Sequence, residues 1–144
     1  MKARDPLTLD LFDVPTAAAA LPGAMDYGLA VRRLLLDATK GSHGNAAQIA
    51  ARMSELIGHG VTEHQLHAWT APSREGWRFP LEYLPAFEAA AETTAVTAWL
   101  AEVRGGRLLI GREALNAELG RLERQRDDAA RKIKQLKSVM GEES

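Results

Sequence analysis

Apolar residues recur at helical spacing along most of the chain from residue 26 to residue 140. Within successive segments they stand three and four positions apart, which is the period of a helix with one buried face. Glycine and proline separate these segments. The pattern predicts an all-α fold, in which a helix-turn-helix bundle of about five helices is followed by a long C-terminal helix of coiled-coil type.

The sequence predicts that the chain has three parts. Residues 1–24 hold three prolines and a run of four alanines, which is typical of a flexible tail. Residues 25–104 are expected to form the helical helix-turn-helix domain, and residues 105–144 a long amphipathic oligomerisation helix. No apolar run reaches the roughly 18 residues that a membrane span needs, and the N-terminus lacks the apolar segment of a signal peptide. We therefore expect a soluble cytoplasmic protein with no membrane partner.

The tail contains one apolar patch, formed by Leu9, Leu11 and Phe12. The stretch from Thr8 to Phe12 resembles the pentapeptide that binds bacterial sliding clamps, although Thr8 stands where that motif usually has glutamine. Two interpretations remain open at this point. The patch either binds a protein partner or packs against the protein's own core.

The second and third predicted helices carry the clearest local signals. Asn45 is a good N-cap with Gln48 three residues later, and Thr62 repeats the arrangement with Gln65. A glycine-containing turn beginning at Gly58 lies between the two helices. A helix, a short turn and a second short helix form the unit that places its second helix in the major groove of DNA.

A helical wheel of the third helix suggests which residues would contact DNA. With Leu66 at the centre of the buried face, a histidine- and glutamine-bearing face points outward, where its side chains offer donors and acceptors to base edges. Ala68 is expected on the same face, against a thymine methyl group, and two arginines beyond the helix suit phosphates. The predicted DNA-binding residues are Thr62, His64, Gln65, His67, Ala68, Arg74 and Arg78.

Charge qualifies this interpretation. The formal net charge is −1, and residues 24–82 carry equal numbers of basic and acidic side chains. Phosphate neutralisation usually supplies much of the affinity for DNA, so one such unit would bind weakly. Two linked units would bind much more tightly through effective concentration. Residues 104–140 are more basic, with ten Lys/Arg against five acids.

The final predicted helix supplies a means of linking two units. Apolar residues alternate there by four and three positions, as in a heptad repeat, with one charged and one small member. Such a stripe is expected to be covered by its own domain, by another copy of the chain or by a different protein, and we expect it to pair with itself in a dimer or tetramer. The predicted oligomerisation residues are Leu115, Leu119, Leu122, Arg126, Ala129, Ile133, Leu136 and Met140.

The order of these elements resembles a known class of regulators. The helix-turn-helix is followed by Leu66-His67-Ala68-Trp69-Thr70, then by Phe79-Pro80-Leu81-Glu82-Tyr83-Leu84, and the chain ends in a C-terminal helix. Over about residues 26–140 this arrangement resembles phage CII-like regulators and the small DNA-binding proteins of Mu-like phages and prophages. The resemblance implies a non-enzymatic oligomeric transcription regulator that reads DNA through His64, Gln65 and His67.

Catalytic and metal chemistry are poorly supported by the sequence. There are no cysteines, no phosphate-binding glycine loop and no HExxH motif. His64 and His67 are three residues apart, a spacing that suits zinc, but exposure on a reading helix explains them more simply. Glu82 and Glu88 are expected to face solvent. We expect no enzyme activity, no cofactor and no metal.

The sequence therefore predicts a sequence-specific double-stranded DNA-binding protein, a phage or prophage transcription regulator that acts as an oligomer. The alternative is a non-enzymatic adaptor, in which the C-terminal helix and the patch at Leu9, Leu11 and Phe12 bind other proteins.

Overall fold

The computed structural model describes residues 14–141. Over that range the chain forms six α-helices and no β-strand, which confirms the predicted all-α class with a long final helix. The apolar patch at Leu9, Leu11 and Phe12 lies outside the described residues. The helices are α1 (Gly28–Gly41), α2 (Ala46–Ile57), α3 (Glu63–Thr70), α4 (Leu84–Ala91), α5 (Ala95–Val103) and α6 (Arg112–Val139), with a 3-10 turn (Leu81–Tyr83) before α4.

One apolar core joins the first five helices. Helix α2 packs against α3 and α4, and α1 packs against α3 and α5. The largest fully buried side chains of these helices lie in this core: Leu35, Ile49, Met53, Leu66 and Phe87. Removing such side chains from water is the main force that holds short helices of this kind together.

The predicted helix starts are confirmed in atomic detail. The Asn45 side chain accepts a hydrogen bond from the Gln48 backbone N–H at 2.9 Å, and the Gln48 side chain accepts one from the Asn45 N–H at 2.9 Å. Helix α2 ends at Gly58 with φ +89°, a left-handed conformation that glycine adopts without strain. Pro85 lies in the first turn of α4, where its missing N–H costs nothing.

Glu88 corrects one sequence prediction, because its side chain is buried rather than solvated. The carboxylate accepts hydrogen bonds from the backbone N–H groups of Val96 and Thr97, each at 3.2 Å, and from the Thr97 hydroxyl. It therefore caps the N-terminus of α5 from the preceding helix, where a negative charge also favours the helix dipole. Glu82 is exposed, as expected.

The segment before α1 is attached to the end of α5. The Ala18 N–H donates to the Val103 carbonyl at 2.9 Å, and Ala17 and Arg104 form an isolated antiparallel bridge. Gly105 makes this approach possible, since a Cβ there would lie 2.7 Å from the Ala17 nitrogen and its φ is +79°.

The chain divides between Leu108 and Leu109 into two units. The second unit contains α6, which has no buried residue. Arg121 donates through Nε to Glu118 at 2.9 Å, and this hydrogen bond lowers the pKa of the exposed Glu118 carboxyl. No helix among the described residues has both the length and the apolar character to cross a bilayer.

Candidate nucleic-acid interface

A serine side chain bridges the turn between α2 and α3. The Ser54 hydroxyl accepts a hydrogen bond from the Val61 N–H at 2.8 Å and lies 3.0 Å from the Val61 carbonyl oxygen. Val61 directly precedes the cap of α3 and is buried, as is its staple partner Leu66. The start of α3 is thus anchored to the end of α2. Sequence reasoning missed Ser54, because this hydrogen bond spans seven residues and depends on how the turn folds.

The capping box at the start of α3 engages two predicted DNA-binding residues. Thr62 Oγ1 accepts from the Gln65 N–H at 3.1 Å, and Gln65 Oε1 accepts from the Thr62 N–H at 2.9 Å. The Gln65 side chain is half-buried. Its amide oxygen is therefore committed to the helix start, and only its NH₂ group remains for another partner.

The outward face predicted for α3 is wrong at one position. Ala68 is fully buried and offers no methyl group to a base. Helix α3 lies against both α1 and α2, and a wheel drawn with a single buried face underestimates how much of an eight-residue helix two neighbours cover. Leu66 is buried, as the wheel predicted, and Trp69 and Thr70 are buried beside it.

The exposed surface of α3 is formed by His64, His67 and Glu63. His67 Nε2 lies 3.3 Å from Glu63 Oε1, and both side chains are more than half exposed, at 62% and 54%. The two imidazoles offer donors and acceptors, and a glutamate can accept from a cytosine amino group. Glu63 thus adds an acceptor to the polar surface beside His67.

The loop after α3 is held by a buried arginine. Arg32 in α1 is only 7% exposed. Its guanidinium donates to the backbone carbonyls of Glu75 at 2.6 Å and Trp77 at 2.7 Å, to that of Arg74, and to that of Ala71 at 3.4 Å. These carbonyl oxygens satisfy the hydrogen-bond donors of the buried guanidinium. From the sequence alone, Arg32 would be counted among the surface charges.

The two predicted phosphate ligands lie in and beside this loop. Arg74 and Arg78 are both exposed, and the bond from Arg32 to the Arg74 carbonyl fixes the backbone of the first. A cleft of about 660 Å³ opens between this loop and the start of α1, with Glu75 and Arg78 in its lining. His59, in the turn after α2, packs its ring edge-to-face on Tyr83, with centroids 5.7 Å apart.

Burial of Arg32 also changes the surface charge of this unit. Within residues 24–82, five basic side chains are exposed: Arg33, Lys40, Arg52, Arg74 and Arg78. Six acidic side chains are exposed: Asp26, Asp37, Glu55, Glu63, Glu75 and Glu82. The surface of the helix-turn-helix unit is therefore slightly acidic, which is less favourable for contact with phosphates than the neutral balance counted from the sequence.

No three His, Cys, Asp or Glu residues within 14–141 are grouped so that they could hold a metal ion. Comparisons with protein-family models, with curated proteins and with solved structures found no match to this chain.

Proposed function

We propose that the protein binds double-stranded DNA as an oligomer and reads sequence with the exposed face of α3, as a phage or prophage transcription regulator would. The observation that carries the proposal is the pair α2 and α3, joined by a left-handed glycine turn at Gly58 and tied together by Ser54. This anchored arrangement leaves His64 and His67 exposed on the second helix.

The positions of the arginines support the same proposal. Arg74 and Arg78 follow α3 directly, on a loop whose backbone is fixed by Arg32. Phosphate contacts at the end of a reading helix set its register along the duplex, while the helix side chains contact the base edges. A loop held from within loses less conformational entropy when it binds than a free loop would.

The first test of DNA binding uses a double-stranded DNA column at low salt. We expect the full chain to be retained and to elute with salt. The Arg74→Ala/Arg78→Ala variant should elute earlier, with the salt dependence of log K reduced by about 2, since each lost phosphate contact lowers that slope by about 1.

Arg33→Ala/Lys40→Ala is the matched control, because it removes the same charge from exposed positions on α1. We expect this control to elute close to the wild-type protein. If both double variants shift equally, the retention reflects overall charge and the assignment of the phosphate contacts is wrong.

The exposed apolar stripe of α6 favours a second candidate function, that of a protein-interaction adaptor. We call this stripe the seam; its members are Leu115, Leu119, Leu122, Arg126, Ala129, Ile133, Leu136 and Met140. Its leucines and isoleucine are about half exposed or more, as a surface that binds a different protein would be. An adaptor without DNA affinity should pass through the DNA column at low salt.

A further inference from the structure

We infer that α6 pairs with α6 of a second copy of this chain, and that the two helices run antiparallel with their centre between Asp127 and Asp128. The inference deepens the proposed function, because it specifies how two DNA-binding units are joined. It depends on the pattern of size and charge along the seam and its flanks.

The seam is exposed over its whole length. Helix α6 is continuous from Arg112 to Val139, and none of its residues is buried. Exposed fractions of the large apolar seam residues range from 49% at Leu122 to 71% at Leu115. A second helix covering this stripe would remove a continuous row of leucine side chains from water.

A parallel, in-register pair would oppose like charges. Each seam residue would then lie opposite the same residue of the second copy, so that the two Arg126 guanidinium groups would meet in the interface. At the flanking positions Glu118 would lie opposite Glu123 of the second copy, and Lys132 opposite Lys137. Charge repulsion on both sides of the seam disfavours this arrangement.

The antiparallel pair matches the seam residues by size. With the centre between Asp127 and Asp128, all eight seam positions pair with another seam position. The four distinct layers are Leu115 with Met140, Leu119 with Leu136, Leu122 with Ile133, and Arg126 with Ala129.

The layer of Arg126 and Ala129 explains the two seam positions that depart from the leucine pattern. The small alanine leaves room for the long arginine stem of the other copy, and the guanidinium can then reach water at the edge of the interface. In a parallel pair, Arg126 would lie opposite Arg126 and Ala129 opposite Ala129, which is unfavourable. In the antiparallel pair, each Arg126 lies opposite the small Ala129 and is accommodated.

The flanking residues also agree with the antiparallel arrangement. Gln125 would lie opposite Lys132 of the second copy, and Asn116 opposite Lys137. The two acids Glu118 and Glu123 would face the uncharged side chains of Val139 and Ala130. No like charges face each other directly in this register.

The arrangement separates the two N-terminal units of a dimer. Arg112 of one copy would lie near the C-terminal end of the other helix, about 47 Å along the axis from Arg112 of that copy at a rise of about 1.5 Å per residue. The two helix-turn-helix units would therefore be attached at opposite ends of the coiled coil.

The chain contains no cysteine, so introduced cysteines can report the helix direction. Gln125→Cys/Lys132→Cys places thiols opposite each other only in the antiparallel pair. Glu118→Cys/Glu123→Cys, the matched variant, does so only in the parallel pair. Both full-length variants are oxidised in the absence of DNA and resolved on non-reducing gels, and sedimentation gives the mass of the wild-type protein.

We expect the first variant to form a disulfide-linked dimer and the second to remain a single chain. Sedimentation of the wild type should give twice the 15.7 kDa chain mass or a higher multiple of it. Linking of the second variant, equal linking of both, linking of neither, or a wild-type mass of one chain would each overturn the inference. DNA retention by the wild type is measured separately, so failure here is distinguishable from failure of the proposed DNA binding.

Discussion

Replacing Leu122 with aspartate should convert the oligomer into single chains and weaken DNA binding by about 100-fold, the low end of the gain that linking two binding units provides. Leu122 lies near the middle of the exposed seam of α6, so each copy would lose a buried leucine and gain a charge in the interface. If each of the two copies loses about 2 kcal/mol of association free energy, the dissociation constant of the dimer rises on the order of 1,000-fold. Sedimentation measures the first effect, and DNA binding falls because the second unit is no longer tethered.

Ala117→Asp is the control for this change. It adds the same charge to α6 at an exposed position away from the seam. We expect it to leave both the mass and the DNA affinity close to the wild-type values. If Leu122→Asp keeps the wild-type mass, the seam does not hold the copies together.

Replacing Arg32 with methionine should lower the free energy of unfolding by about 3 kcal/mol. A hydrogen bond from a charged group contributes about 1.5–3 kcal/mol, and Arg32 makes several to the carbonyls of the loop after α3. Those carbonyls are partly rehydrated when the loop opens, so the net loss is smaller than the sum. Urea denaturation measures the change through the midpoint at constant slope.

Arg33→Met tests whether the Arg32 effect comes from the guanidinium bonds. Arg33 is the next residue of α1 but is exposed, so its replacement should change stability by no more than about 0.5 kcal/mol. Equal effects at the two positions would contradict the role given to Arg32. The Arg32 variant should also be cut faster by proteases within 71–77, because that loop loses its anchor.

Local signals in the sequence were sufficient for most of the fold. The two capping boxes, at Asn45 and Thr62, involve residues three positions apart, and their geometry follows from local chemistry. Two prolines act locally in the same way: Pro80 precedes the 3-10 turn, and Pro85 lies in the first turn of α4. These features depend on neighbours in sequence, which is why a pattern can reveal them.

The errors involve contacts between distant residues. Arg32 bonds to carbonyls 39–45 residues away, and Glu88 caps a helix that starts after it. Ala68 is covered although it lies opposite Leu66 on the wheel. None of these burials follows from the spacing of apolar residues, because each depends on which elements pack side by side. The candidate site therefore keeps its histidines and arginines and loses its alanine.

Reading of DNA by α3 can be tested by selecting duplexes from a random-sequence DNA library. The selection uses the wild-type protein and the His64→Ala/His67→Ala variant, with His43→Ala as the control. His43 is exposed in the loop before α2. We expect the wild type and the control to enrich the same sequence motif, and the double variant to enrich none while keeping its fold. Pools that stay random for the wild type, or an unchanged motif for the double variant, would contradict reading of DNA by α3.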